Sequence, residues 1–534
     1  MGSLVPGWML FHLWPVFMFI SRLYFLALHA VFCVINAFKT RQYVTEPTDR
    51  LQLISATQAV RMIAQKEITS YQLVDSYIRR IEQINPTINA VVVKLFDEAK
   101  AQATECDRTI VSLSEEELQE FLKTKPLYGV PFTMKDAFEL DGVVITSGIY
   151  NRKNMKCDRT SETVQRMIDS GAILLGVTNV PEVCMWVESV NKIYGRTCNP
   201  YDSRRMCGGS SGGEAALISS CGSVIGVGSD IGGSIRMPSF FNGVFGMKPT
   251  PGIVPLDGHI PSTGNGYRSE MLRVGPICRY AEDLPLLLKI MAGPNSDKLR
   301  LDEPVARKKL RLFYMEGIQA SPIYSPLSYE MRQTLRKAVK FFERKYDLVA
   351  HKIDLPFSNY AIDIFNCSMT DKTRPEFKQL MLDSEGKSGA VNCWTELVRF
   401  VTRQSKHTLP AIITGIIDSF DYPEDKFKEF IYMRERTKRQ LKELLGDDGI
   451  LLFPSWPSTA LYHVEPILAP LNFVYTGFWN TLALPAVQCP MGLDSNGLPL
   501  GVQVIGNPYS DRLLIAAAQD LEEGFNGWQP AKNL

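Results

Sequence analysis

SETVQRMIDSGAILLGVTNVPE, residues 161–182, changes its pattern at a single glycine. The first half reads as a helix that stops at Gly171, and the second, AILLGV, as a short continuous apolar run of the kind found in a strand buried on both faces. Helix, glycine and buried strand in succession are the unit of an α/β fold. They predict a largely parallel sheet covered by helices.

Working outward, other segments fit the same alternation. Thr69 to Gln72 forms a capping box, and Leu73, Val74, Tyr77, Ile78 and Ile81 then repeat on one helical face until Asn85–Pro86, where the helix is expected to stop. INAVVV reads as a short buried strand, LFDEAKAQA as a helix, and SEEELQE as a surface helix or loop. LYGVPFTMKDAF, residues 127–138, reads as a strand ending in a turn, with Lys135 just past the apolar run. Residues 300–445 are richer in helical periodicity, as in SYEMRQTLRKAVKFFERKY. DDGILLFPSWP, LALPAVQCPMG and GLPLGVQVIG return as strands and turns, and a last helix is expected around Leu513 to Glu523.

Composition narrows the class. With 534 residues, 45% hydrophobic and 22% charged, the chain as a whole is neither disordered, collagenous nor coiled coil. A net charge of +1 and the lack of a long Lys/Arg run point to no nucleic-acid partner. Eleven cysteines include no C-x-x-C pair, so neither a zinc knuckle nor a thioredoxin-type site is signalled. Cys184, Cys198, Cys207 and Cys221 read as packing residues.

The N-terminus departs from this composition. LVPGWMLFHLWPVFMFI, Ser21–Arg22, then LYFLALHAVFCVINAF, followed by Lys39 and Arg41, reads as a membrane segment. A spanning helix needs ~20 apolar residues. Two registers supply them: Met9 to Ala30 with Arg22 snorkelling, or Leu23 onward. No basic run precedes the apolar stretch and no small-residue cleavage site follows it, which disfavours a cleaved signal peptide. The expected organisation is a single-pass anchor over residues 1–42, a linker over 43–50 and one domain over 51–530. Lys39 and Arg41 favour a cytoplasmic domain, whereas the sequon Asn366–Cys367–Ser368 would matter only in a lumenal one. The side of the membrane stays open. LVRFVTRQSKHTLPAIITGIIDSF, residues 397–420, reads either as a core helical hairpin broken at Pro410 or as an element lying on the membrane surface beside the anchor.

The densest chemistry lies in GGSSGGEAALISSCGSVIGVGSDIGGSIR, residues 208–236, where Ser210, Ser211 and Ser234 stand among glycines. Serine alone is a poor nucleophile, so a base must come from elsewhere. No P-loop is present, and Gly226–Val227–Gly228 lacks the third glycine of a dinucleotide fingerprint. Gly209 to Gly213 fits the G-x-S-x-G elbow with Ser211 as nucleophile. That reading needs a later histidine, and His259, His351, His407 and His463 carry no local signature. Ser384 to Lys387 fits S-x-x-K without its companion motifs and reads as a surface loop.

GGSSGGEAA, VIGVGSD and IGGSIR, with VPFTMKD upstream and LFPSWP, ALPAVQCP and GLPLGVQVIG downstream, resemble the amidase signature family of serine hydrolases over roughly residues 50–530. The resemblance implies one large mixed, twisted β-sheet covered on both faces by helices. It implies Ser234 as nucleophile, Lys135 as base, Ser210 as the serine bridging them, and a cis Gly209–Ser210 bond. The N–H groups of Ile231, Gly232, Gly233 and Ser234 would form the oxyanion hole. Asp230 and Arg236 would support the loop, and Ser211 would hydrogen-bond within the network without attacking. A lysine of ordinary pKa ~10.4 acts as a base only if burial and nearby donors depress it, and backbone N–H dipoles of the Gly-rich loop would favour the neutral amine.

In the implied chemistry Ser234 attacks an amide carbonyl while its proton passes through Ser210 to Lys135. The relay then protonates the departing amine, and water releases the acid. No metal and no organic cofactor takes part. The resemblance implies long-chain fatty-acid amides as substrates, and an anchor that sets the site beside the phase into which apolar amides partition gives that expectation indirect support. The membrane is then a partner, and a homodimer is left open. Two rivals stand beside this reading. One is an amidase of other small amides or the amidase subunit of a tRNA-dependent amidotransferase, which the anchor and the near-zero charge disfavour. The other is a membrane-tethered scaffold with an inactive fold, which the intact Lys135, Ser210 and Ser234 disfavour.

Overall fold

Glu162–Asp169 is helical, Gly171 ends the turn, and Ile173–Thr178 is a strand with all six residues buried, as the opening stretch predicts. Gly171 sits at φ +88°, where a Cβ would press to 2.7 Å from the Tyr128 ring, so both conformation and space call for glycine. The computed structural model describes residues 7–264, 266–318, 321–370 and 374–532.

Its strands are Val91–Lys94 (β1), Pro131–Lys135 (β2), Ile173–Thr178 (β3), Val190–Asn191 (β4), Gly195–Arg196 (β5), Ile225–Asp230 (β6), Phe245–Lys248 (β7), Arg273–Cys278 (β8), Arg311–Tyr314 (β9), His351–Lys352 (β10), Gly449–Phe453 (β11), Ala486–Leu493 (β12) and Pro499–Gly506 (β13). β4 and β5 pair with each other. The other eleven form one sheet in the order β1-β3-β2-β6-β8-β7-β12-β13-β11-β9-β10, with helices packed against it. Parallel pairing is confined to β3-β2-β6 and β11-β9-β10; every other neighbouring pair is antiparallel. The sheet is therefore mixed, as the resemblance implies, and the expectation of a largely parallel one fails. Part of the reason is local: β12 and β13 are joined by a turn organised by Asp494, too short for the crossover that parallel neighbours need.

The Thr69 capping box is present, but the helix it starts, Ser70–Ile88, runs through Pro86 and ends at Asn89 in the left-handed region. Pro86 removes one N–H on the exposed side, where water can satisfy the freed carbonyl. Asn85 fixes the exit, its Oδ1 accepting the N–H groups of Ala90 and Val91.

One unbroken helix, Gly7–Ala37, covers both registers considered for the N-terminus. Its segment Trp14–Ala37, with mean hydropathy 2.0, is long and apolar enough to cross a membrane, and side chains such as Phe19, Leu26 and Val34 are exposed. Its polar side chains meet the rest of the chain: Ser21 Oγ donates to Pro322 O, Tyr24 Oη to Leu468 O, and His29 Nδ1 lies 2.9 Å from Glu465 Oε1. The segment after it has no regular structure yet is tied down, since Val44 N–H donates to Pro200 O and Arg80 donates to Thr45 O. Residues 397–420 contribute to two helices, Cys393–Val401 and Leu409–Ile417, with Pro410 in the first turn of the second.

Candidate active site

Lys135 closes β2, and its neighbour β6 runs parallel to it with Met134 opposite Val227, so Lys135 and Ser229 leave the sheet at the same edge. Lys135 Nζ lies 2.6 Å from Ser210 Oγ and 2.9 Å from Ser229 Oγ, and all three residues are buried. Ser210 comes from the loop before the helix Gly212–Ser219, and the Gly209–Ser210 peptide bond is cis. Gly209 passes so close to the 186–188 backbone that a Cβ would stand 2.4 Å from Trp186 O. Within that helix Glu214 accepts hydrogen bonds from Thr133 and Thr178, which pins the helix to β2 and β3 beside Lys135. Burial pushes the Glu214 carboxyl up to about 8, its two threonine partners offsetting only part of the effect.

Ser234 follows β6 in the turn Ile231–Ile235. Asp230 organises that turn: its carboxylate accepts the N–H groups of Gly233 at 2.7 Å and Ile235 at 3.1 Å and pairs with Arg236 at 3.0 Å. Arg236 donates further to Gln503 Oε1 and Thr476 O. The N–H of Gly233 is thus engaged with Asp230. Among the described hydrogen bonds, those of Ile231, Gly232 and Ser234 have no partner, nor does Ser234 Oγ. Ser211 is turned away from the cavity, its hydroxyl bonded to the Ser229 backbone.

Burial, the largest influence on Lys135, lowers its pKa, while Cys184, Asp230 and Asp136 pull it back up. Its hydrogen-bond partners are serine hydroxyls, not the backbone N–H groups expected of the glycine-rich loop. Asp230 is held ionised: burial alone would raise its pKa, but the charge and hydrogen bonds of Arg236 outweigh it and bring it well below the carboxylate range.

Lys135, Ser210 and Ser234 line one cavity of about 550 Å³, with Ile231 and Gly232. Much of its wall is apolar, from Ile362, Phe365, Ile413, Ile417, Leu471 and Phe473, with Arg268, Asp418 and Asp421 also in the lining. In sequence these residues look like any core-forming helix face, so they carried no signal. Ser229 and His259 also belong to the site, with His259 Nε2 2.9 Å from Ser229 Oγ. Ser229 was visible only as the residue before Asp230, and His259 only as a histidine lacking a signature. Asn366 lies in the helix Ala361–Met369 and lines this cavity, with Cys367 and Ser368 buried behind it, so the sequon is not on a surface loop. Among the described residues no cluster of His, Cys, Asp and Glu is arranged to hold a metal.

A protein-family model described as Amidase matches residues 72–515. Fatty-acid amide hydrolase 2 of Homo sapiens is 40% identical over 498 residues, 92% of each chain. Fatty-acid amide hydrolase 2-A of Danio rerio is 42% identical over 493 residues, 91% of each chain. Among solved structures, a fatty acid amide hydrolase superposes with a TM-score of 0.71 at 20% identity, covering 90% of this chain and 86% of its own, a likeness that bears on fold alone.

Proposed function

The chain belongs to the amidase signature family and is an amide hydrolase, and from that premise we propose that it cleaves long-chain fatty-acid amides at a membrane, through an acyl-enzyme on Ser234. The observation that carries this reading is the apolar-walled cavity whose lining includes Lys135, Ser210 and Ser234. Its volume falls in the range that buries most of a small ligand. At about 0.8 kcal/mol per buried CH₂, a dozen methylenes supply roughly 10 kcal/mol, enough to separate long chains from short ones.

The lone pair of neutral Lys135 takes the Ser210 proton as Ser210 takes that of Ser234, and Ser234 Oγ attacks the amide carbonyl. The N–H groups of Ile231, Gly232 and Ser234 receive the oxyanion, with that of Gly233 held by Asp230 as the brace of the turn. The relay then runs backwards to protonate the leaving amine, and water, deprotonated along the same path, releases the fatty acid. The relatives that are fatty-acid amide hydrolases by name support the substrate class.

Two features support action at a membrane. One is the helix Gly7–Ala37 with its exposed apolar side chains. The other is the helix pair 393–417, in which Cys393, Ala411 and Ile412 pack inward while Trp394, Val398 and Val401 are exposed on one helix, an apolar face of the kind a membrane surface would accept. The test is release of free fatty acid from a long-chain primary amide by the purified protein, beside Ser234→Ala and a short aromatic amide. Faster turnover of the long chain, lost in the variant, is the expected result. Preference for the short amide overturns the lipid assignment, and undiminished hydrolysis by Ser234→Ala overturns the nucleophile.

A further inference from the structure

Lys135 has a second hydroxyl partner that the relay to Ser234 does not use. Ser229 Oγ lies 2.9 Å from Lys135 Nζ and 2.9 Å from His259 Nε2, and His259 Nδ1 lies 3.0 Å from the carbonyl oxygen of Pro261. The loop carrying His259 is held beside the end of β2 by backbone bonds, Ile260 N–H to Ala137 O at 2.8 Å and Glu139 N–H to Gly258 O at 2.9 Å.

The chemistry of these groups fixes the direction of every bond. A carbonyl oxygen only accepts, so His259 Nδ1 carries the proton. In the neutral ring Nε2 then has only a lone pair, and it must accept the Ser229 hydroxyl proton. With that proton committed, Ser229 Oγ meets Lys135 only as an acceptor and takes one amine N–H. The lone pair of the neutral amine is left for Ser210, 2.6 Å away. We infer that His259 is a positioning residue for amide hydrolysis, acting through Ser229 to keep the lone pair of Lys135 turned toward Ser210. This rests on the proposed role of Lys135 as the base.

The surroundings keep the ring neutral. His259 is buried edge-to-face against Phe138, with centroids 5.5 Å apart. Burial above all, helped by Lys135 whenever its amine is protonated, pushes its pKa down to about 3. The other titratable groups acting on Lys135 are Asp136, next to it in the chain, Asp230 at the end of β6, and Cys184, which packs with Ala137. Asp230 stays ionised, and burial pushes the Cys184 thiol up to about 11. Without an acceptor at position 259, the Ser229 proton turns to the Lys135 lone pair. It then competes with Ser210 and favours the neutral amine, so the base is weaker as well as misdirected.

The experiment compares wild type, His259→Leu, His259→Gln and Ser229→Ala for kcat and KM across pH on one amide substrate. Intact sites are counted by the extent of labelling with an organophosphonate. We expect His259→Leu to lower kcat about 10- to 100-fold with little change in KM, a fraction of what a general base contributes. Its acid limb should move to lower pH by about one unit. Gln keeps one acceptor and one donor and should recover most of the lost rate. Ser229→Ala should move the acid limb the same way, and its double variant with His259→Leu should be no slower than the slower single one. An unchanged kcat, or a lower kcat with an unmoved acid limb at full labelling, overturns the inference. If His259→Leu does not label, Ser229→Ala decides by the same two readings. Lys135→Ala and Ser234→Ala run in parallel: if either stays active the proposed relay fails, whereas if both are inactive and His259→Leu matches wild type, only the role of His259 fails.

Discussion

The side chains of Asp230 and Arg236 are joined by two hydrogen bonds, Nε to Oδ2 at 3.0 Å and Nη2 to Oδ1 at 3.1 Å, and both are fully buried. Between them in the chain run Ile231 to Ile235, the turn that contains Ser234, so this ion pair closes the loop on which the directions of the proposed nucleophile and of the neighbouring N–H groups depend.

Breaking a buried pair from one side leaves an uncompensated charge and costs about 3–5 kcal/mol. Arg236→Met should lower the unfolding free energy by about that amount in a denaturant titration and abolish hydrolysis even at temperatures where the variant remains folded.

Gly233 sits at φ +119°, and a Cβ there would lie 1.9 Å from Thr476 Oγ1. Gly233→Ala therefore meets both a left-handed backbone and a collision, together about 2–5 kcal/mol. Adding Thr476→Gly removes the collision but not the backbone cost. Thermal melts should show the double variant recovering part of the lost stability, while amide turnover stays low because the turn is still displaced.

A base must be neutral to work, so hydrolysis should rise with pH through the pKa of Lys135, which burial holds below that of a free lysine. The same shift has a stability sign. Between the depressed native value and the unfolded value of ~10.4 the unfolded chain binds the extra proton, so stability rises with pH across that window. Lys135→Met should be inactive yet at least as stable as wild type at pH 7, with its advantage shrinking as pH approaches 10. Denaturant midpoints measured at several pH values check this.

His463 titrates in the opposite sense. Both ring nitrogens face oxygen acceptors, Nδ1 at 2.5 Å from Glu188 Oε1 and Nε2 at 3.0 Å from Ser203 O, which suits the imidazolium. Burial opposes the charge, but bonding to Cys198 and Glu188 overrides it and lifts the pKa to about 9. A raised pKa gives stability that is complete below about 6.5 and is lost as pH climbs through about 9. The His463 contribution should therefore fall over that interval, so His463→Ala should be less stable than wild type at pH 6, with the gap between the two closing as pH rises through about 9.

The parts of the site that sequence revealed are those whose chemistry is local. The glycine–serine run and the lysine at a strand end stand a few residues from their own motifs, and Lys135 and Ser210 meet in the structure as that reading needs. The parts it hid depend on distant pairing. β3 predicts itself, but nothing near it says that β12 will lie antiparallel to β7. Pro86 reads as a stop because the residues that decide whether water can reach the Glu82 carbonyl lie elsewhere in the fold. Phe365 and Phe473 become a cavity wall only because segments a hundred residues apart meet, with ring centroids 4.8 Å apart. His259 gains a role from the single oxygen atom of Ser229.

The N-terminal helix is bonded to Glu465 and Leu468, and the residues interleaved with and following them, Ile467, Pro470 and Leu471, line the cavity. A flexible tether would leave the domain free to tumble over whatever surface holds it. In the proposed role at a membrane, a helix fastened to the segment that lines the cavity would work instead as a bracket: the surface that accepts its apolar side would also set the compass bearing of the entrance, so that capture and aim become one event.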